Sequence, residues 1–245
     1  MFMPIVQGGH SGGALTLEIT SNTSDVNILT LATAAGYNAS TDTTAIIVNV
    51  ASGVAITATS GNPAIRTGAL NAASNLTINI LSSATVCGFD GASTTSAGAA
   101  GGNGTDAILF EITSGTGTYE VVNNGTHVGA GSGGGGGGGS GGSAGARQTA
   151  HYDSKGFYSC GSPNVYGSAG AQGSHGSAGA SCRAQNGSAG GTGSSGGYPS
   201  SPCGITVSAG SGSAGGAGGV AGRAINFGGL SVSTSGSGTF YGATS

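Results

Sequence analysis

Three short segments hold the side chains with the most chemistry to offer: 146–166, 180–186 and 197–209. The first carries Tyr152, Phe157, Tyr158 and Tyr166 together with Arg147, His151, Asp153 and Lys155, so two of the chain's five basic residues fall within it. Tyr and Arg supply contact area and hydrogen bonds at low cost in side-chain entropy, which is the chemistry of a binding loop. The second segment offers Arg183 and Gln185; the third offers Tyr198, followed by the stiffening residues Pro199 and Pro202. Polarity marks His151, Tyr152, Asp153, Lys155 and Tyr158 as the exposed members of the first segment and Phe157 as its buried one. A competing reading makes the same aromatics an apolar lid over a scaffold without a core of its own.

No catalytic constellation accompanies them. The acids Glu18, Asp25, Asp42, Asp90, Asp106, Glu111, Glu120 and Asp153 are scattered, and no Ser, His and acid share a motif of known spacing. The Gly tracts lack the lysine of a phosphate-binding loop, and their G-x-G-x-x-G matches are products of composition. No enzyme activity and no cofactor are expected. With Lys+Arg 5 against Asp+Glu 8 and a net charge of −3, there is no basic surface for nucleic acid or for an anionic membrane. The cysteines Cys87, Cys160, Cys182 and Cys203 match no zinc spacing, and His127, His151 and His175 are not spaced as partners, so no metal site is expected.

The scaffold that must position these segments is written in glycine. Gly recurs at every third place over residues 133–145, 167–179, 187–196 and 216–222. Three residues per turn is the period of a polyproline II or polyglycine II helix, whose glycine edge lets rods pack backbone to backbone. At about 3.1 Å per residue, the first of these stretches makes a rod roughly 40 Å long. Such a rod makes no internal hydrogen bonds, so every N–H and C=O is free for a neighbouring rod. The composition also suits a flexible Gly/Ser linker, which would order nothing. Collagen is set aside, because the runs are interrupted and the chain has only five Pro. If successive rods alternate in direction, the connections 146–166 and 197–209 share one end, and Cys160 and Cys203 become the favoured disulfide pair; four free thiols are the alternative in a reducing compartment.

Around the rods, residues 15–19, 27–31, 46–50, 54–57 and 76–80 alternate apolar and polar side chains as short strands do, with Asn22, Gly36, Gly53, 61–63 and Gly68 supplying turns. The expected fold is all-β and irregular with almost no α-helix: a short-strand base, either a sandwich or a solenoid, bearing a bundle of Gly-rich threefold helices. The corresponding division is a β-rich base over 1–86, a first Gly rod with return strands over 87–128, the bundle with exposed loops over 129–222, and C-terminal return strands over 223–245. The N-terminus has neither the basic region nor the apolar stretch of a signal peptide, and no apolar span reaches membrane length. A protein assembled inside a cell and released by lysis fits that combination.

Packed Gly-triplet rods joined by loops of unusual composition resemble the glycine-rich tip adhesins of tailed phages, including those that cap the long tail fibres of some T-even-like phages. The stretch Ile46-Ile47-Val48-Asn49-Val50-Ala51-Ser52-Gly53-Val54 is similar to the β segment that precedes Gly-rich regions in other phage tail proteins. The resemblance covers residues 45–245. It implies a virion component on the tail fibre or tail tip, with other tail-fibre or virion proteins as partners and a bacterial outer-membrane protein or surface glycan as receptor. It assigns receptor contact to the three segments, hence to His151, Tyr152, Asp153, Lys155, Tyr158, Tyr166, Arg183, Gln185 and Tyr198. The large β base and the four Cys depart from that pattern. A head fibre, collar or decoration protein that binds no receptor, and an ice-binding protein with a flat face of small residues, are the alternative functions.

Overall fold

The computed structural model describes residues 9–11, 13–112 and 114–245. Its base is a β-solenoid of five turns whose short strands stack into three sheets. The hairpin strand β1 (Gly9–Ser11) pairs antiparallel with β2 (Ala14–Ile19) and closes the first edge. Turn one continues through β3 (Thr23–Ser24) and β4 (Val26–Asn27), then the helix α1 (Ile28–Ala34). Turn two is β5 (Ala45–Val50), β6 (Ala55–Thr57) and β7 (Ile65–Arg66); turn three is β8 (Leu76–Ile80), β9 (Thr85–Cys87) and β10 (Ile108–Leu109). Turn four starts with β11 (Tyr119–Asn123) and β12 (His127–Gly129). It makes a long detour carrying β13 (Ala146–Tyr152), β14 (Tyr158–Tyr166) and β15 (Ile205–Val207) before closing at β16 (Ile225–Asn226). Turn five is β17 (Val232–Ser235) and β18 (Thr239–Tyr241).

The period-two alternation fixes the register of these stacks, because a one-residue slip would turn every apolar side chain outward. On one face Leu15, Ile46, Leu76, Tyr119 and Val232 align. Leu17, Val48, Ile78 and Val121 form a parallel ladder, and Val26, Ile65, Ile108 and Ile225 form another on a second face. All but Val232 in these ladders are buried. Outside, Asn79 donates to Asn49 and Asn49 to Glu18, so amides stack where water meets the sheet. Of residues 27–31, whose pattern suggests a strand, Asn27 ends β4 and 28–31 belong instead to α1: the Asn27 side chain accepts from Thr30 N at 3.2 Å as an N-cap, and Ile28 and Ala32, four apart, face the core.

Glycine rods leave the solenoid at two places, after β9 and after β12. Backbone donors recurring every third residue define six of them among the described residues: 88–96, 98–105, 129–145, 167–179, 185–197 and 210–222. Rod 129–145 is the centre, with the other five around it. Its carbonyls accept from rods 88–96, 167–179 and 210–222; its amides donate to rods 98–105 and 185–197. A sixth neighbour is missing, and side chains stand in for it. Asp90 Oδ1 accepts from Ser132 N, Ser93 Oγ from Gly135 N and His175 Nδ1 from Gly138 N.

The unbroken glycine over 133–139 follows from this centrality, since each of the three edges of the rod lies against another backbone. A Cβ on Gly134 would come within 2.1 Å of Ala92 O, on Gly135 within 2.1 Å of Gly176 O and on Gly136 within 2.2 Å of Gly216 O. Rods 88–96 and 98–105 are short, ending opposite Gly138. Beyond them the same edge is open to solvent, and there Ser140 and Ser143 replace glycine.

Candidate functional site

The far end of the bundle carries a three-stranded antiparallel sheet in the order β14-β13-β15. It forms because rods 129–145 and 167–179 run in opposite directions, so the chain between them must reverse, and residues 146–166 do so as a hairpin. The 197–209 connection arrives at the same end and adds β15 beside β13. A disulfide joins Cys160 to Cys203 across the two connections, with Cα atoms 5.5 Å apart, and buries Cys203.

Beneath the sheet, Arg147 binds the two connections together. Its guanidinium donates to Ser201 O at 2.6 Å and lies 5.7 Å from the centre of the Tyr198 ring. Ser201 Oγ donates to Gln148 O, and Ala209 N donates to Tyr198 OH. The Tyr198 ring sits so close over Gly145 that a Cβ there would meet it at 2.6 Å. Tyr198 therefore acts first as a support, though 42% of it remains exposed.

The hairpin apex is built by Asp153. Its Oδ1 accepts from Lys155 N at 2.8 Å and Phe157 N at 2.9 Å, its own amide donates to Phe157 O, and Gly156 takes the left-handed conformation (φ +82°) that the turn needs. This geometry commits one carboxylate oxygen of Asp153 to the turn while the residue stays exposed. It corrects the reading of Phe157 as buried: Phe157 is 73% exposed and Tyr152 67%. With only a two-stranded ribbon beneath it, the apex has no interior in which to bury a ring. His151, Tyr152, Asp153, Phe157 and Ser159 surround a shallow cavity of about 240 Å³. Lys155 is exposed at the apex, and Tyr166 is exposed where the hairpin rejoins the rods. The side chain of Tyr158 lies outside the described residues.

Two expected contact residues are elsewhere. Arg183 and Gln185 lie in the 180–185 turn, which rod direction places at the near end, against the solenoid. Gln185 Oε1 accepts from Ala180 N and closes that turn; the Arg183 guanidinium stacks 4.2 Å from the centre of the Tyr241 ring on β18. Cys182 in this turn is bonded to Cys87 of β9, so none of the four thiols is free. Beside them, burial and then the Arg183 charge hold the His127 imidazole below its ordinary range. Conversely, polarity does not single out Ile205 and Val207 at the far end, yet they are 53% and 41% exposed. Ile205-Thr206-Val207 between turn residues is a strand signature that marks them.

The far end thus presents aromatic and aliphatic side chains on a doubly tied sheet, held away from the solenoid by rods about 50 Å long for the 17 residues of the central one. Among the described residues no helix is long and apolar enough to cross a membrane. No curated protein sequence matches the chain. The crystal structure of the gp37-gp38 adhesin tip complex of the bacteriophage S16 long tail fiber is similar to it at 18% identity and a TM-score of 0.42, covering 94% of this chain and 82% of that one. A family model described as phage tail fibre adhesin Gp38 matches residues 14–245. The chain belongs to that family, and is a tail adhesin of the phage virion.

Proposed function

We infer that this adhesin engages its receptor through the far end of the bundle. The contact surface is the apex of the β13–β14 hairpin, with Tyr152, Phe157, His151 and Lys155, together with Tyr166, Tyr198 and the Ile205–Val207 strand. The receptor is an outer-membrane protein or a surface glycan of the host bacterium. The observation that carries this reading is the exposure of Tyr152, Phe157, Tyr166 and Ile205 on a sheet tied by the Cys160–Cys203 disulfide. Large apolar side chains that are rigidly held and left open to solvent favour binding, because little entropy remains to be lost. Arg183 and Gln185 take no part in it, and the protein binds without catalysing.

In this reading the opposite end mounts the adhesin. Residues 1–86 and 223–245 serve the attachment to other tail-fibre or virion proteins, while the rods of 87–128 and 129–222 set the distance to the receptor. The structural neighbour is a complex of two tail-fibre proteins, which supports a fibre partner here. The family match displaces the head-fibre, collar, decoration and ice-binding alternatives.

The test is binding of the purified chain to a panel of bacterial strains, with the label placed on an N-terminal tag because the only lysine, Lys155, lies at the apex. Strain-selective binding is expected, with a loss of at least tenfold in the Tyr152→Ala, Phe157→Ala double variant. Undiminished binding by that variant, with its unfolding temperature unchanged, would move the contact surface away from the apex.

A further inference from the structure

At the near end of the bundle, three ligand-forming side chains meet that receptor binding leaves unused. Cys87 ends β9, His127 opens β12 on the next turn of the solenoid, and Cys182 projects from the 180–185 turn. Their sulfur and imidazole nitrogen atoms all lie within 4.8 Å of one another, and Cys87 Sγ is 3.5 Å from His127 Nε2. Two sulfurs and an imidazole are the donor set that soft, d-shell-filled metal ions select. Tetrahedral zinc, with bonds of about 2.3 Å to sulfur and about 2.05 Å to nitrogen, places those two donors about 3.6 Å apart. The Cys87–His127 pair already has this spacing. The same geometry separates two sulfurs by about 3.8 Å, which side-chain rotation supplies across Cα atoms 5.2 Å apart once the disulfide is opened.

We propose that the reduced chain binds one Zn²⁺ through Cys87, Cys182 and His127, so that metal and disulfide are alternative clasps on the same crossing of solenoid and rods. Opening the Cys87–Cys182 bond takes two electrons and two protons from a dithiol, of the kind that keeps a cytosol reduced, and the dithiol becomes a disulfide. Zn²⁺ then displaces both thiol protons to solvent and accepts the lone pair of His127 Nε2, leaving a fourth position for water. Two thiolates balance the ion's charge, and the Arg183 guanidinium nearby favours them. The clasp joins positions 95 residues apart, so a chain made in a reducing cell has its rods pinned to the base before oxidation can do it. The Cys160–Cys203 pair has no third ligand among the described residues and serves as the internal control.

The test is alkylation of the wild-type full chain, reduced with a phosphine, with and without one equivalent of Zn²⁺, followed by mass spectrometry of each cysteine. Zinc is expected to slow modification of Cys87 and Cys182 by more than about tenfold while leaving Cys160 and Cys203 unprotected. The His127→Ala chain should lose about tenfold or more in zinc affinity, at least the effect of removing an outer-shell partner. Titration of the reduced chain with Co²⁺ should give sulfur-to-cobalt charge-transfer bands at one equivalent, and the oxidised chain should give none. Equal alkylation of all four cysteines with and without zinc, or equal cobalt uptake by the oxidised chain, would overturn the proposal.

Discussion

Replacing Gly136 by Ala in the central rod tests whether backbone contact, rather than glycine composition as such, holds the bundle. The added Cβ would stand 2.2 Å from Gly216 O and 2.5 Å from Ala217 O, both backbone atoms that cannot rotate away. An ordinary carbon–oxygen contact of about 3.3 Å requires rods 129–145 and 210–222 to part by about 1.1 Å. The bonds from Gly216 N to Gly137 O and from Gly219 N to Gly134 O, each 2.7 Å, would stretch to about 3.8 Å, beyond hydrogen-bonding range. Each lost bond costs about 0.5–1.5 kcal/mol net, and more where a buried group is left unpaired. Restricting the unfolded chain returns about 0.4–1 kcal/mol. The balance is a destabilisation of about 2–4 kcal/mol, or a fall in Tm of roughly 5–15 °C for a chain of this size. Thermal unfolding followed by circular dichroism and by calorimetry reads it. Gly204→Ala is the control: a Cβ there meets nothing within 4 Å, and Tm should hold or rise slightly. A fall of less than about 2 °C for Gly136→Ala would refute the account of close-packed rods.

Ser93→Ala removes the acceptor that replaces the missing sixth rod and leaves the buried Gly135 N–H unpaired; chemical denaturation should show a loss of about 1–3 kcal/mol, whereas Ser195→Ala on an exposed rod edge should be neutral. Limited trypsin digestion should cut first after Lys155, the only lysine, at the exposed apex. Asp153→Ala, which deprives the Lys155 and Phe157 amides of their acceptor, should speed that cut; an unchanged rate would show that the turn forms without the carboxylate. Burial raises the pKa of Tyr119, whose hydroxyl donates to Ala72 O at 2.9 Å. The folded phenol therefore keeps its proton where the unfolded one loses it, so this contribution to stability is present below about pH 10 and falls as pH rises past it. In Tyr119→Phe the alkaline fall of the unfolding free energy should be shallower, and an identical slope would assign it to other groups.

Much of the fold is legible without coordinates because its rules are local. The alternation in 46–50 and 76–80 depends only on successive residues facing opposite sides of a strand, and β5 and β8 lie there. The same rule misleads at 28–31, where the chain leaves β4 and the Asn27 side chain caps a helix. At the candidate site, composition marks the aromatic hairpin but not its apex. Whether Phe157 is buried depends on what lies beneath it, and whether Asp153 is spent on a turn depends on where the chain reverses.

The sequence by itself determined the rods. A glycine at every third place is a property of a single chain, and it dictates both a threefold helix and one bare edge along it. It also determined that aromatic and basic side chains gather in the segments between rods. The tertiary structure decided which rod is central, because the number of neighbours around a rod depends on hydrogen bonds to segments far along the chain. It decided likewise that Arg183 and Gln185 face the base while Tyr152 faces outward, since rod direction sets the end at which each connection lies. The meeting of Cys87, His127 and Cys182 is of the same kind: 95 residues separate the two sulfurs, and only the stacking of β9 beneath β12 and the return of a rod to that corner bring them together.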